Sequence, residues 1–173
     1  MYKLILSLAF MLLTACTSAP QGITPVDNFA LERYLGEWHE IARLDHSFER
    51  GLTKVTAEYS LRDDGGINVI NRGFNAEEQE WQIADGKAFF VDNPEIGHLK
   101  VSFFGPFYGA YVIFELDKTD YQYAYIAGPN RDYLWLLARQ PSLSNAQKQD
   151  FVASARTHGF ATDELIWLDE PPK

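Results

Sequence analysis

The sequence predicts an all-β protein, an eight-stranded antiparallel up-and-down barrel with one C-terminal α-helix packed outside. Three observations carry this. Apolar and polar residues alternate with period two through much of residues 37–139. Short runs rich in Gly, Pro, Asn and Asp separate the alternating segments, so consecutive strands pair as a meander. A clear helical pattern comes only afterwards. Closure is the simplest way for such a meander to lose its exposed edges.

Taken in order, "NFALERYLG" predicts a short helical turn ending at Gly36, and "EWHEIARL" (37–44) the first strand. In "KVTAEYSL" (54–61), Val55, Ala57, Tyr59 and Leu61 alternate with Thr56, Glu58 and Ser60. "RDDGG" then turns the chain into "INVINRG", a hairpin over 54–73. "EWQIADGKAFFV" (80–91) reads as a long strand with Gly86 at a bend or bulge. "HLKVSFF" (98–104), "AYVIFELD", "YQYAYIAG" and "YLWLLAR" (133–139) complete the eight. The helix opens at Ser144, with Gln147 at the capping-box spacing, turns Phe151, Val152 and Ala155 to one side, and stops at Gly159. "ELIWL" (164–168) predicts a short final strand.

The chain has 173 residues, one cysteine and a formal charge of −9. A lone Cys16 forms no internal disulfide, and structural zinc sites use several thiolate or imidazole ligands. Before it, Lys3 and the apolar "LILSLAFMLL" form a segment too short for a bilayer-spanning helix but suited to a secretory signal. "LTAC" resembles the bacterial lipoprotein box. That resemblance implies removal of residues 1–15, acylation of Cys16, and membrane attachment through the lipid. Thr17 stands where that family's inner-membrane retention signal has Asp, which implies onward transfer to the outer membrane. An ordinary signal peptide with an incidental cysteine is the alternative. Residues 16–28 are expected to be the lipidated cysteine and a coil-like tether, and 29–173 the barrel domain. Removing 1–15 takes away Lys3 and no acid, so the charge becomes −10. Nucleic acid, whose phosphates demand basic patches, is therefore not an expected partner.

"GEWHEIARL", with Gly36 and Trp38, resembles the first signature of the lipocalin family. "TDYQYAYI" matches the second through Thr119, Asp120 and Tyr121, and "ARQP" supplies the third through Arg139. All three occur in order, and the resemblance spans about residues 28–170, nearest to the bacterial outer-membrane lipocalins. His39, where that group commonly has tyrosine, is a departure expected to face outward. In a meander the three signatures fall at one end of the barrel, the closed end in lipocalins. Trp38 is then expected to plug that end, with Arg139 across its indole face, a contact of about 0.5–2 kcal/mol. These are scaffold residues.

At the opposite end, the connection 45–54 is long enough to fold over a mouth. "FFGPFYGAY" puts Phe103, Phe104, Phe107, Tyr108 and Tyr111 into one hairpin. These aromatics either cap the barrel as a minicluster or form a greasy entrance facing acyl chains or a membrane, and such a patch also admits a homodimer. Ala57, Tyr59, Val69, Asn71, Ala88, Phe90, Val101, Phe103, Tyr111 and Trp135 are the candidate ligand lining, with Gly86 and Val55 on the same faces. Arg50, Lys54 or Asn71 would supply polar selection near the mouth. The resemblance implies a fatty acid or lysophospholipid ligand, for lipid storage, transport or membrane maintenance. An interior filled by side chains is the other outcome for a barrel of this size, and would make the protein a structural or interaction lipoprotein of the envelope.

Catalysis is not expected. "DHS" (45–47) has the letters of a hydrolase triad, but neighbours in sequence cannot adopt its geometry. The four histidines lack paired metal spacing, and no cofactor is implied, although one inward histidine would suffice for a haem.

Overall fold

The computed structural model describes residues 17–169. Cys16 and the signal segment lie outside the described residues. A single turn of helix, α1 (Leu31–Tyr34), leads into β1 (Gly36–Arg43), β2 (Leu52–Leu61), β3 (Ile67–Asn75) and β4 (Glu80–Phe90). Then follow β5 (His98–Ser102), β6 (Gly109–Leu116), β7 (Tyr123–Ala127) and β8 (Leu134–Ala138). Each strand pairs antiparallel with the next, and β1 pairs with both β2 and β8, which closes the barrel. Helix α2 (Asn145–Thr157), a 3-10 turn (Thr162–Glu164) and β9 (Ile166–Trp167) complete the chain. One edge of β1 serves two partners: residues 36–39 bond β2, and Ala42 and Arg43 pair with β9.

The expected capping box is present: Gln147 N donates to Ser144 Oγ, and Ser144 N donates to Gln147 Oε1. It satisfies amides that the first turn leaves without helical partners. The strand expected over 98–104 stops at Ser102, and that expected from Tyr121 begins at Tyr123. Tyr121 sits instead in a left-handed turn, φ 55°.

Two apolar cores result. One fills the closed half of the barrel around Phe29, Tyr34, Trp38, Tyr59, Ile113 and Tyr121. The other lies outside the wall, where Phe151 and Ala155 of α2 meet Ile41, Val112, Phe114, Tyr125 and Leu136. The strand period assigns residues to the two: on β7, Ala124 and Ile126 face in, while Tyr125 and Ala127 face the helix.

The tether requires a correction. Residues 17–28 do not behave as free coil but lie along the barrel. Val26 N donates to Ile113 O at 2.9 Å, and Gly97 N to Val26 O at 2.8 Å. Arg131 Nη2 donates to Gln21 O, and His98 Nε2 to Thr17 O at 2.9 Å. Ile23 is buried in the outer core. A segment docked by isolated side chains and backbone bonds has no hydrophobic period, so its composition alone resembled a linker.

Candidate functional site: a barrel closed below and open above

Gly36, Trp38 and Arg139 meet at one end of the barrel. Trp38 is fully buried, and its indole N–H donates to Tyr34 O at 2.7 Å. The Arg139 guanidinium carbon stands 4.0 Å from the Trp38 ring centre. Its Nη1 donates to Glu37 O, and its Nη2 to Arg33 O and Leu35 O, each at 2.8 Å. Gly36 has φ 91°, and an added Cβ would stand 3.5 Å from Arg139 Nη1. That conformation favours glycine.

Tyr121 is buried against Phe29, and its hydroxyl accepts from Ala30 N at 3.0 Å. Thr119 O accepts from Arg33 Nη2 at 2.6 Å. Asp120 is exposed, and the carboxylate that organises this turn is Asp117, which accepts from the amides of Thr119, Asp120 and Gln122. The signature therefore marks the turn, while an acid two residues before it holds the turn together.

Above this plug, the Tyr111 hydroxyl meets those of Tyr34 at 2.7 Å and Tyr59 at 2.8 Å. Burial raises all three phenols above their ordinary range. They act as neutral hydrogen-bonding groups across the barrel floor. Tyr34, on the short α1, carries no period that would have marked it from sequence.

The candidate lining residues fall at different depths. Ala57 pairs with Asn71, Tyr59 with Val69 and Ala88 with Val101, all on the inward face. Phe90 lies lower, edge-on to Phe29 at 6.1 Å, and belongs to the closed end. Phe103 is inside but occupies the space over Gly86, where an added Cβ would stand 2.7 Å from its ring. The space beside Gly86 is therefore filled. Tyr111 and Trp135 complete the wall. Asn71, Val101, Phe103, Tyr111 and Trp135 are only half-buried, and Ala84, paired with Asn71, is exposed. Solvent thus reaches inward-facing side chains from the mouth.

The polar side of this mouth is largely one that sequence reading missed. Arg43 is 1 % exposed, and its Nη1 donates to Glu40 Oε1 at 2.8 Å. Its Nη2 donates to Glu49 O at 2.8 Å. Glu49 Oε2 lies 2.9 Å from His46 Nε2 and accepts from Trp135 Nε1 at 3.1 Å. Glu40, His46 and Glu49 are buried. Burial, then the charge of Glu49, holds the Glu40 carboxyl well above the ordinary carboxylate range despite Arg43. Burial also pushes Glu49 up, but the His46 ring, the Trp135 N–H and the Arg43 charge outweigh it and leave its carboxyl lowered. The two carboxyls, which share a dry site with one cation, are thus pushed in opposite directions.

Simple alternation puts Glu40 on the same face as Trp38, a signal available in the sequence. It puts Arg43 on the opposite face, and only the register shift between Glu40 and Ala42 turns Arg43 back inward. Of the polar residues proposed for the mouth, Arg50 is exposed and paired with Asp45 at 2.7 Å. Lys54 is exposed at a left-handed position. Asn71 alone lies inside, with its buried Oδ1 lacking a protein partner. His46 is the buried histidine, and its Nε2 faces Glu49.

The comparisons with known proteins agree with this architecture. A family model described as a lipocalin-like domain matches residues 29–170. The chain is 51% identical over 170 residues to the outer membrane lipoprotein Blc of Vibrio cholerae serotype O1, covering 98% of this chain and 99% of that protein. It is 53% identical to the protein of the same name in Escherichia coli K12, covering 94% and 93%. Among solved structures, insecticyanin from the tobacco hornworm Manduca sexta superposes with a TM-score of 0.68 at 20% identity, covering 89% of this chain and 87% of that one.

Proposed function

The chain belongs to the lipocalin family, and from that premise we propose that its barrel binds one single-chain lipid, a fatty acid or lysophospholipid, for storage, transport or membrane maintenance. The protein is an outer-membrane lipoprotein, like the relatives that match nearly its whole length. In this reading Cys16 carries the acyl anchor and the barrel stands on the periplasmic side.

The observation that carries the proposal is the contrast between the two halves of the interior. Below, Trp38, Tyr34, Phe29 and Tyr121 fill the space with rings. Above, inward positions hold Ala57, Ala84 and Ala88 among Val101, Tyr111 and Trp135, and several of these still meet solvent. An acyl chain entering there exchanges water for apolar wall, and each buried methylene contributes about 0.8 kcal/mol. The polar end meets a different surface. Arg43 already has Glu40 and two backbone carbonyls as partners. The head group therefore finds Arg43 already engaged, with Asn71 Oδ1 as an open acceptor. A fully buried free carboxylate would face Glu49 without a spare cation. A lysophospholipid, whose charged group can remain at the rim, fits this arrangement better. Mechanism here is partition and selection, with no bond made or broken.

The test is a titration of the delipidated barrel with lysophospholipid and with a fatty acid, followed by tryptophan fluorescence. The expected result is a saturable change, tighter for the lysophospholipid and lost in Ala57→Phe and Ala88→Phe. Absence of saturation by either lipid, with circular dichroism unchanged, leaves a filled barrel and overturns the proposal.

A further inference from the structure

The docked N-terminal segment fixes where the lipid anchor leaves the protein. Thr17 O is bonded to His98 at the start of β5, and the chain from Ile23 to Phe29 is bonded or buried against the wall. The inference rests on the reading that Cys16 is acylated. On that reading no spacer separates the acyl chains from the barrel wall, because Cys16 directly precedes Thr17. The membrane surface must then lie beside the β5–β6 hairpin.

The tip of that same hairpin carries Phe104 and Phe107, exposed to 80% and 77%. Phe104 lies six residues beyond His98, at most roughly 20 Å at about 3.3 Å per residue. Beside the tip, on the outer wall, is a cleft of about 340 Å³ lined by Arg62, Asn68, Asp85, Lys87 and Ser102. The Ser102 hydroxyl is buried there without a protein partner. Exposed rings next to cations and a polar cleft match the layering of a bilayer surface, with acyl chains beneath phosphate-bearing head groups.

We propose that the β5–β6 tip is a second membrane contact. Phe104 and Phe107 insert into the leaflet that holds the anchor, and the neighbouring cleft takes the head group of a bilayer phospholipid. The barrel then lies along the membrane on its β5–β6 side with that edge of its mouth at the leaflet, and a lipid can pass between leaflet and barrel without crossing open water.

The experiment uses the full lipidated protein in vesicles of phosphatidylethanolamine and phosphatidylglycerol. The sole native thiol, Cys16, is consumed by lipidation, so one introduced cysteine takes a nitroxide label uniquely. Labels are placed at Phe104→Cys and Phe107→Cys, and as controls at Glu32→Cys, exposed on α1 at the closed end, and Asp150→Cys on α2. The expected result is about fivefold or greater protection of labels 104 and 107 from a water-soluble relaxant, relative to both controls. Equal exposure of all four labels means that the protein hangs by its anchor alone, and overturns the contact. Protection of label 32 instead means that the closed end faces the membrane, and also overturns it. Protein that fails to float with the vesicles overturns the anchor and the contact together. Lysophospholipid binding by the labelled proteins, measured in parallel, reports separately on the barrel's function.

Discussion

Arg43 concentrates the energetic risk of this fold in one side chain. It is the cation between two buried acids, so Arg43→Met leaves Glu40 and Glu49 facing each other in a dry site. The expected loss is about 3–5 kcal/mol of stability by chemical denaturation, and a loss below 1 kcal/mol would show that water already reaches the cluster. Glu40 gives the pH dependence. The folded state holds its proton more tightly than the unfolded chain, whose carboxyl titrates near the ordinary value of 4.5. That contribution is complete below this value and disappears as pH rises through the raised folded value. Glu40→Gln keeps an acceptor for Arg43 and cannot ionise. Its melting temperature is therefore expected to gain on the wild type as pH rises from about 5 toward the raised folded value. Parallel melting curves across that range would contradict the raised folded value. At this scale the sequence was informative where a residue obeys simple alternation, as Ala57, Tyr59, Val69 and Ala88 do. It was silent where a bulge reverses the face, as at Arg43. It was also misleading at Gly86, because only the three-dimensional path of the following loop brings Phe103 over it.

Among the elements, α2 and the β6–β7 turn were legible because local chemistry alone specifies them. Ser144 and Gln147 announce the helix start, and Ser144→Ala is expected to cost about 0.5–2 kcal/mol of stability without changing lipid affinity. Reduced affinity in that variant would mean that α2 supports the mouth as well as the wall. At the closed end, Arg139 couples α1 and β1 through three carbonyls and one indole face. Arg139→Met should lower stability by roughly 1–3 kcal/mol and leave the ligand titration in place, because the plug is separated from the mouth by the tyrosine floor. The N-terminal segment was not legible for a physical reason. Its attachment depends on Ile23, on Val26 and on backbone bonds to residues remote in sequence, and none of these creates a pattern within the segment. The amide of Val26, bonded to Ile113 O, is expected to resist hydrogen exchange like a barrel amide. Exchange at the rate of an unstructured peptide would restore the coil-like tether.

At the scale of the whole molecule, the strand meander places everything. Eight antiparallel strands send every second connection to the same end, so a plug built from signature residues faces away from a mouth built from longer loops. The closed end follows from the sequence because its parts are local and of special residue types. The mouth does not, because its polarity arises from β1 and the loop after it folding back under the rim. The central claim is that the mouth half of this barrel holds one acyl chain. Native mass spectrometry of the protein after incubation with lysophospholipid measures this directly. The expected spectrum shows one lipid per barrel, lost in Ala57→Phe, and lipid-free protein alone, from the wild type with its fold intact, would overturn the single-chain site.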